Sequence, residues 1–367
     1  MITDVMPPLT EEAAVEAIRD FFRGKPFVFF GTGMSCALDL GFGMPALRDA
    51  LIEQMQHQTL NAVQCEEWNA VVEHLQQGGD LEGALDSVSN HDLLKMVAAI
   101  TGEFVASLDK KFAYAIAQGT TEWPAISLLN RLLATLPDSD PILHVLTPNY
   151  DMLFEYSCDY SAMPYTNGLF GGVERKEDWS AIDRALLSPY KTRQGTKIKT
   201  LFRHRKHIRL YKVHGSLNYF LHRGTVIENN AWMWSPPGFA ERVMITPGLS
   251  KYQALQRYRR ELLQFADDAV ESATHFLFLG YGFNDSHLEE YMKRKLVTQS
   301  SQGLIVTRDC NPRIESLLEE ADNLWLVCKE EDGDGSRIYN KRHSGWLSLP
   351  NQKLWDVRDF THRIFGG

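Results

Sequence analysis

The chain has 367 residues, 44% of them hydrophobic and 11% aromatic, which suffices for one large domain with insertions or for two domains, each with a sizeable core. Its formal net charge of −9 argues against polyanion binding over the whole surface. The five cysteines, odd in number and without a C-x-x-C pair, spell neither a disulfide framework nor a zinc ribbon and fit a reducing cytoplasm. No apolar run approaches about 18 residues, and the first residues lack a basic stretch followed by an apolar one, so neither a membrane span nor a signal peptide is expected.

In chain order, Thr10 with Glu11 and Glu12 starts a helix that continues through Phe22 and stops at Gly24. Phe27 to Phe30 reads as a buried strand that breaks into Gly31-Thr32-Gly33-Met34-Ser35. Glycines there let the backbone turn sharply and keep Cβ atoms away from a bound phosphate. The G-x-G-x-x-G fingerprint is not met, because Cys36 stands where its third glycine belongs. Gly41, Gly43 and Pro45 then lead into a helix from Leu47 to Gln58.

From about Leu60 to Leu136 apolar residues recur every three or four positions between Gly78-Gly79, Asn90, Gly102 and Gly119, predicting four or five helices and no strand. After the break at Pro137 to Pro141, Ile142 to Leu146 reads as a second buried strand ending in Thr147-Pro148-Asn149-Tyr150-Asp151. Polar groups at the carboxyl end of a parallel strand sit where open α/β sheets bind ligands. Asn149 and Asp151 also suit the capping of a helix from Met152 to Cys158, and both readings stand.

Charge is segregated further on. From Arg184 to Ile227 there are eleven Lys or Arg and no Asp or Glu, so subtracting +11 from −9 leaves −20 for the other 323 residues. This segment suits a nucleic-acid path, a dock for an acidic partner, a neutralising patch near a pyrophosphate, or a solvated loop. Leu210 to Val213 reads as a strand delivering His214, and Asn218 to Leu221 pairs with Val226-Ile227 as a hairpin around Arg223-Gly224. Lys251 to Ala273 reads as a helix, His275 to Leu279 as a strand, and Gly280 to Asn284 as a second glycine loop. Asp285 then caps a helix from Ser286 to Thr298, Gly303 to Thr307 and Leu324 to Cys328 are strands, and Asn311-Pro312 opens a helix between them. This repetition predicts an α/β fold, a Rossmann-like parallel sheet covered by helices on both faces. A large all-helical insertion is expected over residues 59–137 and a basic insertion over 160–208. Glu330 to Gly335 fails the EF-hand spacing and reads as an acidic turn.

Four of these motifs resemble the sirtuin signatures in the family's order. The GTGMS loop at Gly31 followed by GMPALR resembles GAGxS followed by GIPDFR; TPNYD at Thr147 resembles TQNxD; Val213-His214-Gly215 resembles the HG signature; and the GYGFND loop at Gly280 resembles that of bacterial sirtuin-like proteins. The resemblance implies one sirtuin-like domain over residues 1–367. It implies NAD as substrate, Asn149 and His214 as the catalytic pair with Asp151 beside them, and a cofactor site of Gly31, Thr32, Gly33, Ser35, Pro45, Arg48, Gly280, Gly282 and Asn284. Thr32 replaces the usual alanine and Pro148 the usual glutamine. The stretch from Leu217 to Gly248, where typical sirtuins carry four zinc-binding cysteines, contains none, so no zinc is expected and a deacylase peptide groove loses one wall.

Among sirtuin-like proteins these features resemble the NAD-hydrolysing effectors of bacterial anti-phage defence, which implies a cytoplasmic homo-oligomer gated by a partner such as a HerA-type ATPase or an Argonaute. Nicotinamide leaves its ribose as a neutral molecule, so the chemistry needs positioning more than acid assistance. Asn149 offers a donor and an acceptor, and His214 can take a proton from a hydroxyl or water near neutral pH. An NAD-dependent deacylase or ADP-ribosyltransferase, or a non-catalytic NAD-binding subunit with a nucleic-acid contact through Arg184 to Arg223, are the alternatives.

Overall fold

In the computed structural model, residues 6–194, 197–246, 264–299 and 301–366 are described, the side chains of 194, 286 and 287 excepted. The chain begins with α1 (Glu11–Phe21), whose Thr10 hydroxyl accepts from the Ala13 amide at 3.3 Å. Next come β1 (Pro26–Phe30), the short turn of helix α2 (Gly33–Cys36) and α3 (Met44–Met55) with Pro45 in its first turn. Four helices follow, α4 (Ala62–Gln76), α5 (Leu81–Asp86), α6 (His91–Ala117) and α7 (Ile126–Thr135). With α3 the first three bury an apolar cluster of their own, including Leu51, Trp68, Val71, Leu85 and Val97.

The second strand, β2 (Ile142–Thr147), leads into α8 (Leu153–Tyr160), the short strands β3 (Tyr165–Thr166), β4 (Leu169–Gly171) and β5 (Arg175–Glu177), and α9 (Trp179–Ala185). The basic segment, read from sequence with a solvated loop among its options, is instead largely extended: β6 (Leu187–Gln194) and β7 (Lys197–His204) pair as an antiparallel ribbon. Then come β8 (His207–Lys212), longer than expected because His207 and Ile208 are also buried, β9 (Gly215–His222), β10 (Thr225–Glu228) and β11 (Glu241–Met244). Of the helix expected from Lys251 to Ala273, residues 251–263 lie outside those described and α10 spans Gln264–Ser272. The chain closes with β12 (His275–Leu279), α11 (Ser286–Thr298), β13 (Gln302–Val306), α12 (Pro312–Glu320), β14 (Leu324–Lys329), β15 (Ser336–Tyr339), β16 (Leu347–Leu349) and α13 (Val357–Phe365).

Among the described residues nine strands form the main sheet in the order β16-β15-β14-β13-β12-β1-β2-β8-β3, parallel from β14 to β3. Alternation along each strand divides the core. In β1, Val28 and Phe30 enter the cluster shared with α1, α7, α8 and α13, while Phe27 and Phe29 enter the one shared with α10, α11 and α12. Helices therefore cover both faces, and the central strands carry apolar residues on both sides. Beside this sheet, β11-β9-β10-β5-β4 form a smaller one. The order reverses at β1, since the chain moves from β1 to β2 on one side and from β12 to β13 on the other. In an open α/β sheet a ligand binds outside the carboxyl ends at such a switch point.

Candidate active site

Two glycine loops meet at the switch point. The Gly31 amide donates to Leu279 O at 3.0 Å and the Gly33 amide to Gly280 O at 2.9 Å. A Cβ on Gly33 would stand 2.6 Å from that carbonyl oxygen, and Gly280 adopts φ +54°, so these glycines allow two backbones to touch. The Gly31 and Gly33 amides are spent between the loops, and those of Met34 and Ser35 turn back to Gly31 O and Thr32 O. Thr32 is the amide of this loop that donates to none of the described residues.

Asn149 follows β2 and is held from three sides. Its amide donates to the Thr147 hydroxyl at 3.0 Å, and its Nδ2 donates to Gly31 O and to Ser35 Oγ, each at 3.1 Å. The Ser35 hydroxyl in turn donates to Asp151 Oδ2 at 2.8 Å. Because Ser35 has one proton and gives it to a carboxylate, it must accept from Asn149, which fixes the orientation of that amide. Asn149 Oδ1 is then the acceptor of the group, 3.4 Å from the Thr32 hydroxyl.

Asp151 is 6% exposed and accepts at Oδ1 from the Leu153 amide at 3.3 Å, so it also serves the helix that follows, as sequence allowed. Burial pushes its carboxyl above the ordinary range, against the opposing pull of Lys212 and the Ser35 hydroxyl. Lys212, buried at the end of β8, donates to Asp151 O and pairs with buried Glu155 at 2.9 Å, anchoring the turn from below.

His214 lies beyond β8, 7% exposed, and its carbonyl accepts from the Ile245 amide at 2.9 Å. Gly215 after it has φ +82°, and a Cβ there would stand 2.0 Å from Val243 O. The His214 Nε2 lies 2.9 Å from Asp285 Oδ2, close enough to pair although the two are not aligned as a hydrogen bond. Asp285, expected only as a helix cap, thereby becomes a partner of the histidine. Its amide donates to buried Glu289 at 2.7 Å, and the Tyr281 hydroxyl donates to the same carboxylate oxygen at 2.7 Å.

Topology relates the two groups. The sheet runs β12-β1-β2-β8, so β12 and β8 are three strand spacings apart, roughly 14 Å. For His214 after β8 to meet Asp285 after β12, the chain and side chains that follow these strands must bridge that gap past the ends of β1 and β2, from which Gly31, Ser35 and Asn149 rise.

Other expected residues are placed less closely. Gly282 and Asn284 share the second loop, where Asn311 Nδ2 donates to Gly282 O at 2.7 Å while Asn311 Oδ1 caps α12. Pro45 lies in the first turn of α3, and Arg48 directs its guanidinium to Asp49 at 2.8 Å. Sequence reasoning did not pick out Arg308. It follows β13 near enough to draw down the Cys36 thiol, which burial nevertheless lifts to about 11. A cavity of about 310 Å³ lined by Arg175, Glu228 and Asn230 shares no residue with the site.

Residues 143–325 match the family model of the SIR2-like domain. The match supports a Sir2-type family and NAD-related chemistry, and it takes in Asn149, Asp151, His214 and the loop from Gly280 to Asp285, while the first glycine loop lies before it. No curated protein matches the chain. Among the described residues no group of three or more His, Cys, Asp or Glu side chains is placed to hold a metal ion, and no helix is long and apolar enough to cross a membrane.

Proposed function

We propose that the chain is an NAD glycohydrolase that releases nicotinamide and leaves ADP-ribose. One observation carries the reading: Asn149 is locked so that its acceptor Oδ1 is presented beside Thr32, beneath loops that bring His214 and Asp285 together over the same strand ends. Breaking the bond between ribose and a cationic pyridinium needs an oriented acceptor for a ribose hydroxyl or a water, and a base for the proton that water loses. Asn149 Oδ1 supplies the first and His214 the second. Asp151, with both oxygens engaged by the protein, acts as a positioning residue through Ser35. Gly31 and Gly33 set the approach of the loops, and the Thr32 amide remains for the pyrophosphate side, while the Thr32 hydroxyl donates to Asn149 Oδ1.

On the resemblance of its motifs, we read the enzyme as an NAD-depleting effector of anti-phage defence, gated by a partner and working as an oligomer. Nicotinamide release by the purified full chain, alone and with proteins encoded beside it, tests the chemistry. Asn149→Ala should lower release by 100-fold or more, on the order of removing a group that orients the reacting atoms, and His214→Ala by a similar factor. Release that survives both substitutions in folded protein removes the assignment.

A further inference from the structure

The ribbon of β6 and β7 stands apart from the rest of the fold. Its strands pair over eight positions, from Leu187 with His204 to Gln194 with Lys197, a length of about 26 Å. An isolated two-stranded ribbon is only marginally stable in water, so its exposed side chains are the informative ones. Ile198 is 71% exposed and Phe202 63%, and Tyr190 and Leu201 are also exposed. Seven cations and no carboxylate occur from Leu187 to Lys206. Arg203 is bound at the ribbon's base to Asp138, and Lys206 donates to Ala134 O at 2.7 Å. Lys191, Lys197 and Lys199, by contrast, are exposed and meet no carboxylate among the described residues.

The register shows how these groups are arranged. Pro189 opposite Phe202, Lys191 opposite Thr200 and Arg193 opposite Ile198 share one face; Tyr190 opposite Leu201, Thr192 opposite Lys199 and Lys197 share the other. Each face therefore carries apolar side chains flanked by cations. Protein interfaces are depleted in lysine, whereas nucleic-acid interfaces are strongly positive. A two-stranded ribbon also fits a groove of duplex DNA, where lysines reach phosphates and Phe, Ile or Pro side chains wedge at base steps.

We infer that the ribbon is a contact arm for duplex DNA. The face that carries Ile198 and Phe202 presses against base edges, while Lys191 on that face and the long side chains of Lys197 and Lys199 from the other reach the phosphates of the two strands that flank the groove. This contact does not depend on the chemistry at Asn149.

The test is fluorescence anisotropy of the full chain on a labelled duplex of about 30 base pairs, titrated between about 50 and 200 mM salt. The wild-type protein should bind with an affinity that falls steeply with salt. Lys191→Ala/Lys197→Ala/Lys199→Ala should bind at least tenfold more weakly and flatten the log–log salt slope by about three, one per lost phosphate contact. Ile198→Ser/Phe202→Ser should weaken binding without changing the slope. Both variants should keep the wild-type melting temperature, since every altered side chain is exposed. Absence of duplex binding by the wild type, or an unchanged affinity in the triple variant, overturns the inference. A triple variant that alters sedimentation but not DNA affinity also overturns it, and assigns the arm to a second copy of the chain.

Discussion

The polar groups above the sheet fall into two parts that differ in how they are held. Around Asn149 each donor has an acceptor: Nδ2 reaches Gly31 O and Ser35 Oγ, Ser35 reaches Asp151, and Lys212 with Glu155 fixes the turn beneath. Over it, His214 and Asp285 meet by their side-chain tips across loops from strands that are not neighbours in the sheet. A satisfied network is pre-organised and costs nothing to orient at the moment of reaction. A pair held from two separate loops depends on both loops keeping their places. The first part therefore specifies geometry, and the second joins the two halves of the site.

The comparison is most exposed at Asp285. If the carboxylate holds the imidazole, Asp285→Asn should lower kcat for nicotinamide release by about 10- to 100-fold with KM for NAD changed less than threefold, as for a group that acts on orientation. His214→Ala/Asp285→Asn should then be no worse than His214→Ala, because residues acting as a unit are non-additive. Losses that multiply in the double variant would separate the two residues and leave Asp285 as a cap of α11. A smaller effect is expected on the other side. Ser35→Ala removes one link of the relay while Gly31 O still holds the Asn149 amide, so release should fall by about tenfold, with a stability cost of about 1–3 kcal/mol for the buried partners left behind. A loss as large as that of Asn149→Ala would show that the serine itself does the work assigned to Asn149.

The parts read correctly from sequence are those whose cause is local. A run such as Phe27 to Phe30 ending in glycine can only be a buried strand entering a tight turn, and β1, β2 and β12 lie where that pattern puts them. Asn149 and His214 were legible as strand-end residues in motif positions. Asp285 was not, because before a helix an aspartate already has a sufficient local reason, and its partner comes from a distant part of the chain. For Gly33 too, the contact that needs the glycine comes from a distant part of the chain. Sequence shows that a Cβ is missing but not what would have struck it, here the backbone of Gly280. The strands β15 and β16 are too short to carry a period, whereas α13, which extends the core with Val357, Phe360 and Ile364, does show a helical signal at i, i+3 and i+7 that the reading of the sequence leaves unused.

A second imidazole, within the sheet itself, gives the mildest test of what surrounds a histidine here. His144 in β2 stacks between Phe27 and Tyr211, with ring centroids 6.3 and 5.9 Å away, and its Nδ1 lies 2.9 Å from the Tyr211 hydroxyl. Burial, helped by the charges of Lys25 and Arg209, lowers its pKa from 6.5 to about 4. Between those values the unfolded chain binds a proton that the folded chain refuses, so this group's contribution is fully present above pH 6.5 and is lost as pH falls toward 4. The loss should reach on the order of 2–3 kcal/mol by about pH 4.5. Denaturant unfolding of His144→Phe against wild type should therefore show a stability gap that shifts in the variant's favour over that window and stays constant above it, with nicotinamide release unchanged at neutral pH. Unlike His214, whose neighbour is a carboxylate, His144 lies against two rings and a hydroxyl. A gap independent of pH would mean that the imidazole is protonated where it sits, and that the aromatic stack tolerates the charge.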